Sequence, residues 1–125
     1  MQLDHMNLSL PADLMEAVKD FYCDLLGFKI GPRPDIPIPG YWLYHAEGGG
    51  ASIHLIESDA HQPPASNYLD HVAFRVASVE AIQGLLDERE VPYQELRLDE
   101  IGIHQVVVTD PAGTKIELSK PADLT

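Results

Sequence analysis

Three histidines and one glutamate have the types and spacing to hold a metal ion. His5 closes the segment Leu3-Asp4-His5, and His71 closes Leu69-Asp70-His71, 66 residues later. His54 sits in Ile53-His54-Leu55, and Glu117 in Ile116-Glu117-Leu118, 63 residues later. Imidazole favours Zn, Ni, Co, Fe and Cu, and a carboxylate admits Mn as well. Taken singly, each is a strand side chain that meets solvent or a hydrogen-bond partner. Taken together, at repeat-related positions with a common parity, they point to one divalent ion held by His5, His54, His71 and Glu117.

Those positions follow from the elements around them. After His5 the apolar residues Met6, Leu8 and Leu10 alternate, and after His71 so do Val72, Phe74 and Val76. A period of two marks half-buried strands. A helix is predicted from Pro11 or Asp13 to Leu26, with Leu14, Val18, Phe21 and Leu25 on one face and Gly27 as its stop. Its counterpart runs from Ser78, an N-cap, to Glu90, with Val79, Ile82, Leu85 and Leu86 on its apolar face. Three strands follow each helix: 28–32, 41–46 and 51–57 in the first half, then 92–98, 104–109 and 115–119 in the second. Gly48-Gly49-Gly50 and Asp110-Pro111-Ala112-Gly113 make the turns before the last strands. The chain therefore reads as α+β. It has two tandem βαβββ modules, 1–57 and 69–125, joined by a Pro- and Ser-containing linker over 58–68. Four strands are too few to close a barrel. The expectation is one domain in which both halves form a curved, barrel-like mixed sheet with helices outside. A one-residue slip would reverse each strand's faces, and burial of the apolar set forbids it. His5, His54, His71 and Glu117 all fall opposite the helix-facing residues.

Composition narrows the function. Eight Lys and Arg against 20 Asp and Glu give a net charge of −12, which repels phosphate backbones and anionic lipid. Neither nucleic acid nor membrane is an expected partner. No apolar run approaches the length of a transmembrane helix. Met1-Gln2-Leu3-Asp4-His5 has neither a basic nor an apolar signal region, so a cytoplasmic protein is expected. The lone Cys23 excludes an internal disulfide framework and a cysteine-based zinc cluster; beside Phe21 and Tyr22 it reads as a packed thiol.

The sequence resembles the vicinal oxygen chelate superfamily, which includes glyoxalase I, extradiol dioxygenases and bleomycin-binding proteins. The resemblance rests on Leu3-Asp4-His5, on Phe21-Tyr22-Cys23-Asp24-Leu25-Leu26-Gly27-Phe28, on Asp70-His71-Val72-Ala73-Phe74, and on the stretch from Asp110 to Leu118. It implies His5, His71 and Glu117 as metal ligands. His54 falls where glyoxalase I has a further carboxylate ligand. It also implies a homodimer and a small substrate that chelates the ion through two adjacent oxygens. In a glyoxalase-like isomerisation the metal-bound carboxylate moves a proton, which makes Glu117 the candidate base; its other role is that of a plain ligand.

Further substrate-binding candidates follow from parity. Gln105 and Val107 face the same way as the proposed ligands, and their repeat equivalents are Trp42 and Tyr44. These aromatics either wall a substrate or fill a small core. Asn7 shares the face of His5. Arg75 lies just beyond His71, and Arg33 and Arg97 are candidates for the same cup, suited to a carboxylate or phosphonate or else solvated at the rim. His45 and His104 have the wrong parity for the ion, and His61 lies in the linker. The proline-stiffened stretch 33–40 resembles a loop that shapes the mouth of the cup. Two enzyme readings remain, a glyoxalase-type lyase or isomerase and an extradiol-type dioxygenase. A metabolite- or antibiotic-binding protein of the resistance type is the non-enzymatic one.

Overall fold

In a computed structural model, the described residues are 3–60 and 69–120. Internal contacts divide the chain into two compact units, Met1–Ser66 and Asn67–Thr125. The linker expected over 58–68 lies mostly outside the described residues. Each unit is a βαβββ module of α+β type.

The first module comprises β1 (Met6–Leu10), α1 (Ala12–Asp20), β2 (Lys29–Gly31), β3 (Gly40–Tyr44) and β4 (Ala51–Glu57). Its sheet has the order β1-β4-β3-β2, with β1 parallel to β4 and the other pairs antiparallel. Alternation along the strands sends Leu43, Ile53 and Leu55 to one face, where they are buried with Met15, Val18, Tyr22 and Leu25 of the helical segment. Burying each large aliphatic side chain stabilises by about 1.5–3 kcal/mol.

The buried helical stripe is Met15, Val18, Tyr22 and Leu25, not the expected Leu14, Val18, Phe21 and Leu25. Both sets have helical spacing and share two members, so hydrophobicity alone does not separate stripes one residue apart. After Asp20 the helix widens into a π-helical turn over Phe21–Leu25. Gly27, at a φ of 79° that suits glycine, then ends it.

The second module comprises β5 (Val72–Arg75), α2 (Val79–Glu88), β6 (Gln94–Leu98), β7 (Ile103–Thr109) and β8 (Lys115–Ser119). Its strand order, β5-β8-β7-β6, repeats that of the first, again with one parallel pair, β5 and β8. Ser78 caps α2 by accepting a hydrogen bond from the Ala81 N–H at 3.1 Å. The buried Asp110 carboxylate accepts from the backbone N–H groups of Ala112 and Thr114, which shapes the turn into β8. A short 3₁₀ turn over Asp99–Ile101, unanticipated from the sequence, joins β6 to β7. Among the described residues no helix is long and apolar enough to cross a membrane.

Candidate metal and substrate site

In the first module the helix-free face of the sheet carries a column of three rings. Trp42 and His54 are directly opposite each other in the antiparallel register of β3 and β4. Their rings stack, with centroids 4.0 Å apart and planes inclined by 8°. His5, just before β1, stacks on the other side of His54 at 3.8 Å and 14°. The His54 Nε2–H donates to the Ala51 carbonyl at 3.1 Å, so Nδ1 carries its lone pair. Burial, followed by the nearby His5, lowers the His54 pKa. His5 Nδ1 meets the Asp4 carboxylate at 2.7 Å, so Nε2 is the ring nitrogen turned away from Asp4.

Tyr44 lies across Gly31, where a Cβ would stand 2.5 Å from the ring, and its hydroxyl donates to the Pro32 carbonyl at 2.5 Å. Asn7, paired with His54 in the parallel register, donates to the Ser9 hydroxyl at 3.1 Å.

In the second module the corresponding face is ionic. His71 lies between two carboxylates: Nδ1 is 2.8 Å from Asp70 Oδ2 and Nε2 is 3.1 Å from Glu117 Oε2. Asp70 also meets Lys115 Nζ at 3.3 Å, and its pKa is lowered by the hydrogen bond with His71 and then by Lys115. Glu117 is mostly buried, with its side chain 17% exposed, and it shares a cavity of about 350 Å³ with Arg75, Gln105 and Ser119. The register aligns Ala73, Glu117 and Val107 in one row and Arg75, Ser119 and Gln105 in the next.

Two arginines differ from expectation. Arg97 pairs in register with His104, which shares the parity of the buried Val106 and Val108, so it lies on the helix-covered face and bonds Asp99 at 2.8 Å. Arg33 lies past the end of β2. Its Nη2 donates to the Ile38 carbonyl at 2.7 Å, and it borders a groove of about 570 Å³ with Ala12, Met15, Glu16 and Tyr41, on the helix side of the sheet. The base of the 32–40 loop is pinned further by the Glu57 N–H donating to the Pro39 carbonyl at 2.9 Å. Gly40 adds another constraint, because a Cβ there would stand 2.1 Å from the Leu55 carbonyl oxygen.

The remaining histidines and the thiol have structural surroundings. His104 is buried, with Nε2 2.7 Å from Glu95 and Nδ1 3.5 Å from Glu80 of α2. His45 packs on Phe28 at 4.9 Å. His61 lies outside the described residues. Burial raises the Cys23 pKa and suppresses the thiolate.

The donor set fits a divalent ion in part. Two donor atoms about 2.1 Å from one ion at near-right or tetrahedral angles stand roughly 3.0–3.4 Å apart, a range that includes the His71–Glu117 separation of 3.1 Å. A hydrogen bond between these two atoms needs a proton, and a cation can replace it. Asp4 and Asp70 serve as orienting carboxylates for His5 and His71. The sequence reading assigned them no role, although the repeated Leu-Asp-His held the signal. His5 and His54, by contrast, stack face to face. A nitrogen lone pair lies in its ring plane, so rings this nearly parallel do not both aim at one ion. Among the described residues no three His, Cys, Asp or Glu side chains are gathered as a metal needs.

A family model described as the glyoxalase/bleomycin resistance protein/dioxygenase superfamily matches residues 2–118. No curated protein matches the chain. Similar solved structures include a glyoxalase family protein from Bacillus anthracis, 22% identical, with a TM-score of 0.74 over 96% of this chain and 94% of the other. The trypanothione-dependent glyoxalase I of Leishmania major is 19% identical, with a TM-score of 0.74 over 96% and 86%. TnmS3, an antibiotic-binding protein from Streptomyces sp. CB03234, is 23% identical, with a TM-score of 0.70 over 97% and 96%. At these identities the likeness is one of fold.

Proposed function

The chain belongs to the glyoxalase/bleomycin resistance protein/dioxygenase superfamily, and from that premise we propose that it is a divalent-metal-dependent lyase or isomerase of glyoxalase type. Members of this superfamily commonly bind a divalent metal. The observation that carries the proposal is the Asp70–His71–Glu117 array, in which an oriented imidazole and a mostly buried carboxylate bring two donor atoms within 3.1 Å. His5, oriented by Asp4, is the first module's contribution. His5, His71 and Glu117 would hold the ion. When bound, it would supply Lewis-acid polarisation of two adjacent substrate oxygens.

The chain's own residues do the rest. Glu117 Oε2 accepts a proton from substrate carbon and returns it to the neighbouring position, work typically worth on the order of 10²–10⁴ in rate. Arg75 and Gln105, which share the Glu117 cavity, bind polar substrate groups. Trp42 and Tyr44 supply an aromatic wall that excludes water, and Asn7 a polar contact beside it. The reading extends to a cytoplasmic homodimer: a single cysteine makes no use of an oxidising compartment.

A second reading, an extradiol-type dioxygenase, gains from the stacking of His54. Without that ring the set is two histidines and one carboxylate, the facial triad of non-haem Fe(II) oxygenases. Metal analysis of protein purified without chelators, followed by assays on a hemithioacetal and on catechols, separates the two. Zn, Ni or Co with hemithioacetal turnover supports the first; iron with oxygen uptake supports the second. Failure to take up any ion would reject both enzyme readings and leave a small-molecule-binding protein, as TnmS3 is for an antibiotic.

A further inference from the structure

We propose that His54 is a positioning residue that fixes the ring plane of His5, and that it is not itself a metal ligand. The inference rests on the metal reading above and lies wholly within the first module. Register puts Trp42 directly opposite His54, so the first contact of the column follows from the backbone pairing. His54 is then flanked on both faces, by Trp42 at 4.0 Å and by His5 at 3.8 Å. Its edge is fixed as well, since Nε2–H donates to the Ala51 carbonyl. A ring held on two faces and one edge has little rotational freedom left.

The geometry argues against ligation. The planes of His5 and His54 differ by 14° with ring centroids 3.8 Å apart, and planes this nearly parallel meet far beyond the ~2.1 Å reach of a metal–nitrogen bond. One of the two rings must therefore be a non-ligand while the stack stands. His5 is the better donor: Asp4 bonds its Nδ1 and leaves Nε2 free, the arrangement usual for a ligating histidine. In the stack, His54 sets the plane in which the His5 lone pair lies, and Asp4 sets the tautomer. A flat side chain without nitrogen should do the same work.

The test compares His54→Phe with His54→Ala in the full chain, titrated with Zn²⁺ or Co²⁺ by calorimetry after circular dichroism has shown each to be folded. The parent is expected to bind the ion. His54→Phe should stay within about 3-fold of the parent, while His54→Ala should weaken binding by roughly 10–100-fold, the range of an orienting partner. Equal loss in both variants, or a changed Co²⁺ absorption spectrum in the Phe variant, would overturn the inference and leave the metal reading intact. A parent that binds neither ion would overturn both. A measurement free of any variant is nitrogen-15 NMR of labelled histidines. On metal addition His5 Nε2 should show the shift of a bound nitrogen, and His54 should not; a bound His54 nitrogen overturns the inference.

Discussion

The two modules share a strand order and an Asp-His pair at the same place, yet they hold their donors by different forces. In the second module carboxylates do the holding: Asp70 and Glu117 flank His71, and Lys115 bonds Asp70 in turn. In the first module flat rings do it, through the Trp42–His54–His5 column. A repeated backbone thus preserves where a side chain starts and leaves open what restrains it. Charge pairs respond to pH and salt, whereas stacked rings respond to shape.

Removing a donor from the ionic module should have the largest effect. His71→Ala or Glu117→Ala is expected to weaken metal binding by more than about 100-fold, beyond the usual cost of losing an orienting partner. His45→Ala and His104→Ala should bind as the parent does. Equal losses in all four, by metal analysis after gel filtration, would refute the assignment.

Next comes Glu117→Gln, which keeps the shape and an oxygen but loses the base. With a substrate carrying a labile C–H, the metal-loaded variant should bind it and turn over at least about 100-fold more slowly. Near-normal turnover would move the oxygenase reading ahead.

Smaller changes sharpen the contrast between the modules. Asp70→Ala should lower metal affinity by about 10–100-fold. Asp4→Ala should cost less, because the Asp4 side chain is 88% exposed and the His5 ring keeps its stack. The reverse order would show that stacking contributes little.

The smallest effect lies away from the proposed ligands. Glu95 is held below its ordinary 4.5 by its hydrogen bond with His104 and then by Gln83. A carboxylate depressed on folding stabilises the fold above its unfolded value, and that contribution fades as pH falls through the folded one. The pH-dependent part of the stability gap between parent and His104→Asn should therefore be full above about pH 4.5 and shrink below it. Urea titrations at several pH values check this, and a gap that widens toward acid would contradict it.

Much of the scaffold was legible because alternation and turn chemistry are local. Strands 51–57 and 115–119 have the expected bounds, and Ser78 is the N-cap it was read to be. The same parity argument correctly separated His54 and Trp42 from Ile53 and Leu43. Arg33 and Arg97, expected in the same cup, do not share that face. One lies in a loop where strand parity no longer applies, and the other pairs with His104 on the covered face. The π-helical turn escaped notice because a widened turn keeps the apolar content of an α-helix. The ring column was invisible for a different reason. Parity says which face a side chain leaves from, whereas stacking or ligation is decided by side-chain torsions.

The loop between β2 and β3 has an evolutionary consequence. It is held at its base by the bonds to the Pro32, Ile38 and Pro39 carbonyls and by the close approach of Gly40 to Leu55, while Pro34, Asp35, Ile36 and Pro37 are exposed. Mutations at those four exposed positions can accumulate without shifting Trp42, which begins two residues after Gly40. The fold can thus vary the tip of this loop while inheriting the ring column unchanged.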